Sequence, residues 1–337
     1  MPHQKALAAI TDLLLDDATG APLLTTTLED YRELLLAASG LEMGGDGAMD
    51  GIDTGAGVAI GATWAALCLD DALRTKRFVS GLHQAVADLL AERPGPIHVF
   101  YAGTGPWATL FLPLTTRFTP DQLRLTALEI NPVSVRSVQT TFYALGLEDY
   151  LEDVIEDDAA LHELTLTRPV DILLSETMQH TLVSEMQVPI VVNLLQQLPD
   201  TTVLIPSVIR VHLGVMADYA RTRIDRDLGV VFAFDTALVR SLAPAPAPLE
   251  FTTRRQPVPP PPADDEIGPL ALLTTIHVYG DYELTHYESV LTYPQLIADY
   301  PSADNPLAAI DFTYRLYPEP ELDVDFIVRL TPAPAAS

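Results

Sequence analysis

Cysteine is almost absent from this chain of 337 residues, which contains only Cys68. A single cysteine excludes an intrachain disulfide and any zinc site built from cysteines, and it fits a protein of the reducing cytoplasm. Spaced clusters of histidine and carboxylate residues are also missing, so we predict that no metal is bound. We expect Cys68 itself to be a small core residue.

Basic residues are scarce as well. Lysine and arginine together number 19 against 46 aspartates and glutamates, which gives a formal net charge of −27. Such a charge repels the phosphates of nucleic acids and draws cations toward any acidic cleft. We interpret its main role as maintaining solubility, and we exclude nucleic acid as a partner.

Long hydrophobic runs are lacking too. No apolar segment approaches the roughly 18 to 20 residues that span a bilayer, and residues 1–17 lack a basic segment followed by a long apolar one. We therefore expect a soluble cytoplasmic protein with no membrane partner. Hydrophobic residues nevertheless make up 48% of the chain, enough for well-buried cores in two domains.

Three regions differ in their pattern. Residues 1–73 show the three- and four-residue apolar steps of helices, interrupted at 44–57 by a Gly-rich acidic segment that we interpret as a mobile loop or cover. Residues 74–206 alternate strands with helices, which predicts βαβ units and a parallel sheet. Residues 207–337 alternate apolar and polar positions between turn signals, which predicts an antiparallel sandwich or barrel.

Some finer predictions follow from the same patterns. We expect a helix over "GPWATLFLPLTTRF" at 105–118 and a polar helical piece over "ADYARTRIDRD" at 217–227. The stretch 243–266 is too rich in proline for a helix or a central strand, so we predict an extended surface connection there.

Polar and glycine residues follow three successive strands of the predicted parallel sheet. Gly103 and Gly105 come after "IHVFYA", where glycines allow a ligand to approach the backbone. Glu129 ends the next strand, 24 residues after Gly105, where nucleotide-binding folds place an acid on the ribose hydroxyls. Asp158 follows the third strand, near the expected adenine. Ala108 stands where a dinucleotide fold usually has a third glycine, which is tolerated, but the glycine pattern followed by "EIN" favours S-adenosylmethionine over a dinucleotide.

The segment "SETMQHTLVSE" follows the apolar strand "VDILL" and places Glu176 and Glu185 nine residues apart. A guanidinium is planar and carries five N–H donors in a fixed fork, so paired carboxylates match it through charge-assisted bonds. The alternative is that Glu176 caps a turn and Glu185 lies on a solvated helix face.

In these residues the chain resembles the protein arginine methyltransferase family, whose frame S-E-x-M-x(6)-E is met by Ser175, Glu176, Met178 and Glu185. The resemblance implies a Rossmann-like methyltransferase domain with a helical N-terminal region, an antiparallel β-barrel domain after it, S-adenosylmethionine as cofactor, and a homodimer with an arm near 217–227. It also implies that Glu176 and Glu185 are catalytic and bind the guanidino group. The cofactor-binding residues that it implies are Arg74, Gly103, Gly105, Glu129, Asp158, Ala159 and Met178.

The chain departs from the family at its C-terminal end, where a Thr-His-Trp loop is missing. The corresponding region is "LAAIDFTY", so we expect Asp311 there as a substrate-binding residue. This departure and the segment 44–57, which would cover a small closed pocket, favour free L-arginine or a small guanidino compound, as in specialised metabolism. A protein arginine, a different O- or N-methyltransferase substrate, and a scaffold without turnover stay open. For His180 and His286 we favour structural roles over catalysis.

Overall fold

The fold is described from a computed structural model, which describes residues 2–45, 48–54, 58–184, 186–242, 250–260, 268–302, 307–316 and 319–328. No helix in these ranges is both long enough and apolar enough to cross a membrane.

The first part of the chain is helical, as the apolar periodicity predicted. Helix α2 ends at Gly40, which takes a left-handed conformation with φ +63° and donates its N–H to the Leu36 carbonyl. A short hairpin with two residues in each strand precedes α3, and a 3-10 turn at Cys68–Asp70 separates α3 from α4. The elements are α1 (Pro2–Leu15), α2 (Ala21–Ser39), β1 (Ile52–Asp53), β2 (Val58–Ala59), α3 (Ala62–Leu67) and α4 (Ala72–Glu92).

A five-stranded parallel sheet forms the centre of the molecule. Its spatial order is β5-β4-β3-β6-β7, so the chain moves outward from β3 in one direction and then returns to β3's other side. All six residues of β3 are buried. The elements are β3 (Ile97–Ala102), β4 (Leu123–Glu129), α5 (Pro132–Leu145), β5 (Leu151–Glu156), β6 (Ile172–Ser175), α6 (Gln187–Gln196) and β7 (Val203–Ile205), with 3-10 turns at Leu112–Thr116, Glu148–Tyr150 and His180–Leu182.

This arrangement is the predicted Rossmann-like sheet, and its strand order has a functional consequence. In open parallel sheets, ligands bind beyond the carboxyl ends of the strands where the order reverses. Here the reversal lies at β3, between β4 and β6. The segments that follow these strands therefore meet at one edge of the sheet.

The rest of the chain forms two antiparallel sheets. One has five strands, with the order β12-β11-β8-β9 and β13 paired to β11, and the other has the order β10-β14-β15. The pairings between described residues leave these as two sheets and do not close a barrel. The elements are β8 (Val208–Met216), β9 (Ile224–Asp235), α7 (Thr236–Ser241), β10 (Glu250–Pro257), β11 (Leu270–Tyr279), β12 (Tyr282–Leu284), a 3-10 turn (Val290–Thr292), β13 (Gln295–Ala298), β14 (Leu307–Arg315) and β15 (Glu321–Val328).

Two predicted helices are wrong. Residues 105–111 form turns and lead into a 3-10 helix, because Ala108 has φ +49° and Pro113 cannot continue an α-helix. Residues 217–223 are a connection between β8 and β9, closed by the Asp218 carboxylate, which accepts from the backbone N–H and hydroxyl of Thr222. The helical arm expected there for a homodimer is therefore absent, and the homodimer stays a prediction.

The Pro-rich stretch contains one strand that was not predicted. Residues 250–257 form β10 at the edge of the three-stranded sheet, where the missing N–H of Pro257 is tolerated. Residues 243–249 and 261–267 lie outside the described part of the chain.

His98 gives the stability of the fold a pH dependence. Its ring is buried, with Nδ1 3.0 Å from the Pro169 carbonyl oxygen and Nε2 2.8 Å from the Thr126 hydroxyl. Burial lowers the pKa of His98 below its ordinary value of 6.5. The neutral ring therefore stabilises the fold above that pH, and the contribution is lost as the pH falls below it.

We expect the free energy of unfolding, measured by urea titration between pH 7 and pH 5, to fall more steeply in the wild type than in His98→Asn. Protonation of the many surface carboxylates affects both proteins, so the difference between the two slopes isolates His98. Parallel slopes would contradict this account.

Candidate functional site

A cavity of about 380 Å³ lies at the edge of the parallel sheet where the strand order reverses. Its walls come from the segments after β3, β4, β5 and β6, from the α3–α4 region, from the hairpin and from the 3-10 turn that begins at Val290. The lining residues used below are Thr54, Ala59, Ile60, Cys68, Arg74, Tyr101, Gly103, Gly105, Glu129, Asp158, Ala159, Glu176, Thr177, Met178, His180, Val290 and Leu291.

The glycine turn after β3 forms one wall. Gly103 has φ +72°, and a Cβ atom at this position would lie 2.2 Å from Cγ2 of Thr177. Gly105 has φ +60° and donates its N–H to the Glu129 carboxylate over 2.9 Å. Only glycine adopts these conformations without strain and leaves room for the neighbouring segment.

Glu129 ends β4 as a buried carboxylate. One of its oxygens accepts from the N–H of Gly105 and the other from the N–H of Asn131, at 2.9 Å each. Burial raises the pKa of Glu129, and the backbone donors partly offset this effect. The carboxylate thus ties the glycine turn to the end of the neighbouring strand at the cavity wall.

Asp158 and Ala159 line the cavity after β5. Asp158 accepts the N–H of Ala160 over 2.9 Å. Burial, and then the adjacent Asp157, raise the pKa of Asp158 above that of an ordinary aspartate. Asp158 therefore follows the third strand of the sequence pattern, where we predicted an acid near the adenine.

Arg74 and Glu176 meet inside the cavity as a buried ion pair. Arg74 lies in the first turn of α4 and Glu176 directly follows β6, and their side chains are only 9% and 8% exposed. Burial by itself lowers the pKa of Arg74, but the attraction of Glu176, with smaller contributions from Cys68 and Asp71, reverses this and raises it. The arginine is therefore permanently charged, and Glu176 is the carboxylate that balances it.

Of the other predicted site residues, only some line the cavity. Met178 is buried and lines the cavity two residues after Glu176. Glu185 lies outside the described residues, so the spacing of the two glutamates has no structural counterpart here. Asp311 lies in β14, where its carboxylate binds the Arg255 side chain at 2.6 Å through both oxygens, and it does not line the cavity.

The two histidines weighed in the sequence have different positions. His180 is half-buried and lines the cavity. Burial, and then the positive charge of Arg221, lower the pKa of His180, so its ring is neutral near pH 7. His286 does not line the cavity, and its ring lies edge-on to the His212 ring at a centroid distance of 6.3 Å.

Several wall residues were not recognised in the sequence. Tyr101, the next-to-last residue of β3, lines the cavity, and burial, followed by the charge of Glu176, raises the pKa of its phenol well above the ordinary value. From the segment 44–57, which was interpreted as a cover, Thr54 reaches the cavity beside Met186, with Oγ1 3.6 Å from the thioether sulfur. Residues 46–47 and 55–57 lie outside the described part.

Asp71 brings the antiparallel part of the molecule to the cavity. It occupies the N-cap position of α4, yet its side chain makes no capping hydrogen bond. Instead, it accepts from the Ser289 hydroxyl at 2.5 Å and from the Val290 N–H at 3.1 Å. Because Val290 and Leu291 line the cavity, Asp71 fixes this wall to the helix that carries Arg74.

Among the described residues, no three histidine, cysteine, aspartate or glutamate side chains are placed to hold a metal ion. Cys68 is half-buried and lies on the cavity wall instead of in the core where the sequence placed it.

The comparisons with known proteins yield distant structural similarities. No protein-family model and no curated protein matches the chain. Protein arginine methyltransferase 10 of Arabidopsis thaliana, seen in an open conformation, is 13% identical, and the alignment covers 77% of this chain and 95% of that one with a TM-score of 0.47. The PRMT1 enzyme–prozyme heterotetramer of Trypanosoma brucei, in complex with AdoHcy, is 12% identical over 77% of this chain and 96% of that one, with a TM-score of 0.48. At this level of identity, the substrate and cofactor of this chain can follow only from its own residues.

The close contact at Gly103 is directly testable. We expect Gly103→Ala to lower the free energy of unfolding by about 3 kcal/mol, of which about 1 kcal/mol is left-handed backbone strain and the rest is overlap with the Thr177 methyl group. In a Thr177→Ser background, which removes that methyl group, the same substitution should cost only about 1 kcal/mol. Chemical denaturation of the four proteins measures both values, and equal costs in the two backgrounds would disprove the contact.

Proposed function

We propose that this protein is an S-adenosylmethionine-dependent N-methyltransferase that acts on the guanidino group of arginine. The observation that carries the proposal is the buried carboxylate of Glu176, which binds a guanidinium, that of Arg74, inside a cavity at the carboxyl edge of a Rossmann-like sheet.

The cavity has the features that a nucleoside cofactor requires. Gly103 allows close approach of the backbone, the carboxylate of Glu129 lies at the end of β4, and that of Asp158 follows β5. We assign the ribose hydroxyls to Glu129, the adenine to Asp158 with Ala159 and Met178, and the cofactor carboxylate to Arg74. Bound S-adenosylmethionine would supply a methyl group already activated by a positively charged sulfur.

Glu176 is suited to the other half of the reaction. A carboxylate in a nearly dry cavity binds a guanidinium through charge-assisted hydrogen bonds that also fix the plane of the cation. Holding positive charge on the bound nitrogens leaves the remaining nitrogen more nucleophilic, and its orientation lowers the entropic barrier. We assign the same task to Glu185, the second carboxylate of the sequence pattern.

Free L-arginine, or a small guanidino compound, is the substrate that we favour. The cavity is bounded by Thr54, Ala59 and Ile60 on one side and by Val290 and Leu291 on another, and Asp71 fixes the second of these walls. A cavity of about 380 Å³ between these walls has a size suited to small molecules, as in specialised metabolism. The net charge of −27 favours a second candidate, an arginine within a basic peptide.

A substrate assay separates these candidates. Labelled S-adenosylmethionine is offered with free L-arginine, with an Arg-Gly-rich peptide, and with L-lysine as the guanidine-free control. We expect transfer to free arginine at a kcat/KM at least tenfold above that for the peptide. The reverse ratio would make the protein an arginine methyltransferase of peptides, and transfer to the lysine control alone would remove the guanidinium hypothesis.

The role of Glu176 is tested by Glu176→Gln, which keeps the size of the side chain and removes its charge. We expect kcat/KM to fall by about 100-fold or more, roughly 3 kcal/mol of transition-state stabilisation. The variant also leaves Arg74 buried without its partner, so the melting temperature should fall as well.

The control for this loss of stability is His98→Asn, which disturbs a buried, hydrogen-bonded side chain that does not line the cavity and should lower the melting temperature while leaving kcat/KM unchanged. Glu185→Gln should reproduce the kinetic loss. Turnover like that of the wild type in Glu176→Gln would refute the assignment.

A further inference from the structure

Gln187, the first residue of α6, is buried and hydrogen-bonded to the segment that carries Glu176. It is 1% exposed, and its carbonyl oxygen accepts from the Thr177 N–H at 2.9 Å, from the Thr177 hydroxyl at 3.0 Å and from the Ser175 hydroxyl at 3.3 Å. Its amide nitrogen donates to the Ser175 carbonyl at 3.0 Å. Gln187 itself does not line the cavity.

These bonds hold the chain on both sides of Glu176. Ser175 and Thr177 are its two neighbours in the chain, and Gln187 binds the backbone of both. The backbone on each side of Glu176 is thus fixed to a helix, and the direction in which its carboxylate leaves the chain is fixed with it. The described residues between Glu176 and α6 do not form a regular helix or strand, and Thr181 and Leu182 among them have positive φ angles.

The chemistry of the amide explains why a glutamine is needed. One group must accept the Thr177 N–H and donate to the Ser175 carbonyl at the same time, in a site closed to water. A primary amide supplies an acceptor and a donor without charge, whereas a carboxylate lacks the donor and a thioether lacks both. Losing either bond leaves a buried backbone group unpaired, which the segment can relieve only by moving.

We propose that Gln187 is a positioning residue that aims Glu176 at the substrate guanidinium. This inference rests on the proposed function, because it deepens the role of the same carboxylate. Its distinctive consequence is that kcat depends on Gln187 although the side chain touches neither the cavity nor Arg74.

The chain offers a matched control at the other end of α6. Gln197 is also held by several side-chain bonds: its oxygen accepts from the Leu164 N–H at 2.8 Å, and its nitrogen donates to the carbonyls of His162 and Asn193 at 2.9 and 3.1 Å. It does not line the cavity. Substituting either glutamine by methionine removes several hydrogen bonds, and because Gln197 is exposed its loss should cost less stability, so kcat is compared at a temperature at which both variants are fully folded.

The experiment compares Gln187→Met, Gln197→Met and Gln187→Glu for kcat, for KM with L-arginine and for the affinity of S-adenosylhomocysteine by calorimetry. We expect both methionine variants to lose thermal stability, but only Gln187→Met to lose kcat, by tenfold or more, with cofactor affinity within about threefold of the wild type. A purely structural role would give the two variants the same kcat.

Gln187→Glu supplies a second readout, the pH dependence of kcat, measured where the variant is fully folded. A protonated carboxyl has both an O–H donor and a carbonyl acceptor, so it can replace the amide, whereas the carboxylate cannot. Burial favours the protonated form. The ratio of its kcat to that of the wild type should therefore rise at least threefold from pH 8.5 to pH 6.5, and a constant ratio would overturn the proposal.

The failure of this inference is distinguishable from failure of the proposed function. If the wild type methylates a guanidino compound and Gln187→Met does so equally well, only the role of Gln187 is lost. If the wild type methylates no guanidino compound, crystal structures of the wild type and Gln187→Met still decide whether Glu176 changes direction. An unchanged carboxylate would overturn the inference.

Discussion

The ion pair between Arg74 and Glu176 joins two parts of the molecule that lie 102 residues apart in sequence. Removing two charges from water costs several kcal/mol for each ion, and their attraction offsets this only when the geometry is well fixed. Arg74 is fixed by the first turn of α4, and Glu176 by its position directly after a buried strand. The cavity therefore has a charged centre whose position the surrounding fold must maintain.

The surrounding contacts show how that position is maintained. On the side of α4, the Asp71 carboxylate leaves its own helix end uncapped and binds Ser289 and Val290 instead. On the side of β6, the amide of Gln187 binds both neighbours of Glu176. The glycine turn packs against the same segment, since Gly103 leaves room for the Thr177 methyl group. The walls of the cavity are thus held to one another by polar contacts as well as by the apolar core.

The sequence predicted the parts of the site that depend on strand ends. The alternation of strands and helices predicted a parallel sheet, and the carboxyl ends of such strands meet at one edge. For that reason Gly103, Glu129, Asp158 and Glu176 all line one cavity. The helical N-terminal region and the antiparallel C-terminal part were also predicted, although the pairing of the latter gives two sheets and no closed barrel.

The remaining features depend on contacts that a local pattern does not contain. A glutamine at the start of an apolar helix has no visible partner in the sequence, and Asp71 before a helix looks like an ordinary N-cap. Asp311 was expected near the substrate from its place in the chain, but it faces Arg255 across a strand pair. The apolar run at 105–118 has helical spacing, yet its backbone is set by Pro113 and by the positive φ of Ala108.

A crystal structure of the protein with S-adenosylhomocysteine and L-arginine tests the central claim most directly. The account predicts the nucleoside in the cavity beside the glycine turn and Glu129, and the arginine guanidinium on the carboxylate of Glu176. A guanidinium bound elsewhere, or a nucleoside outside this cavity, would contradict it.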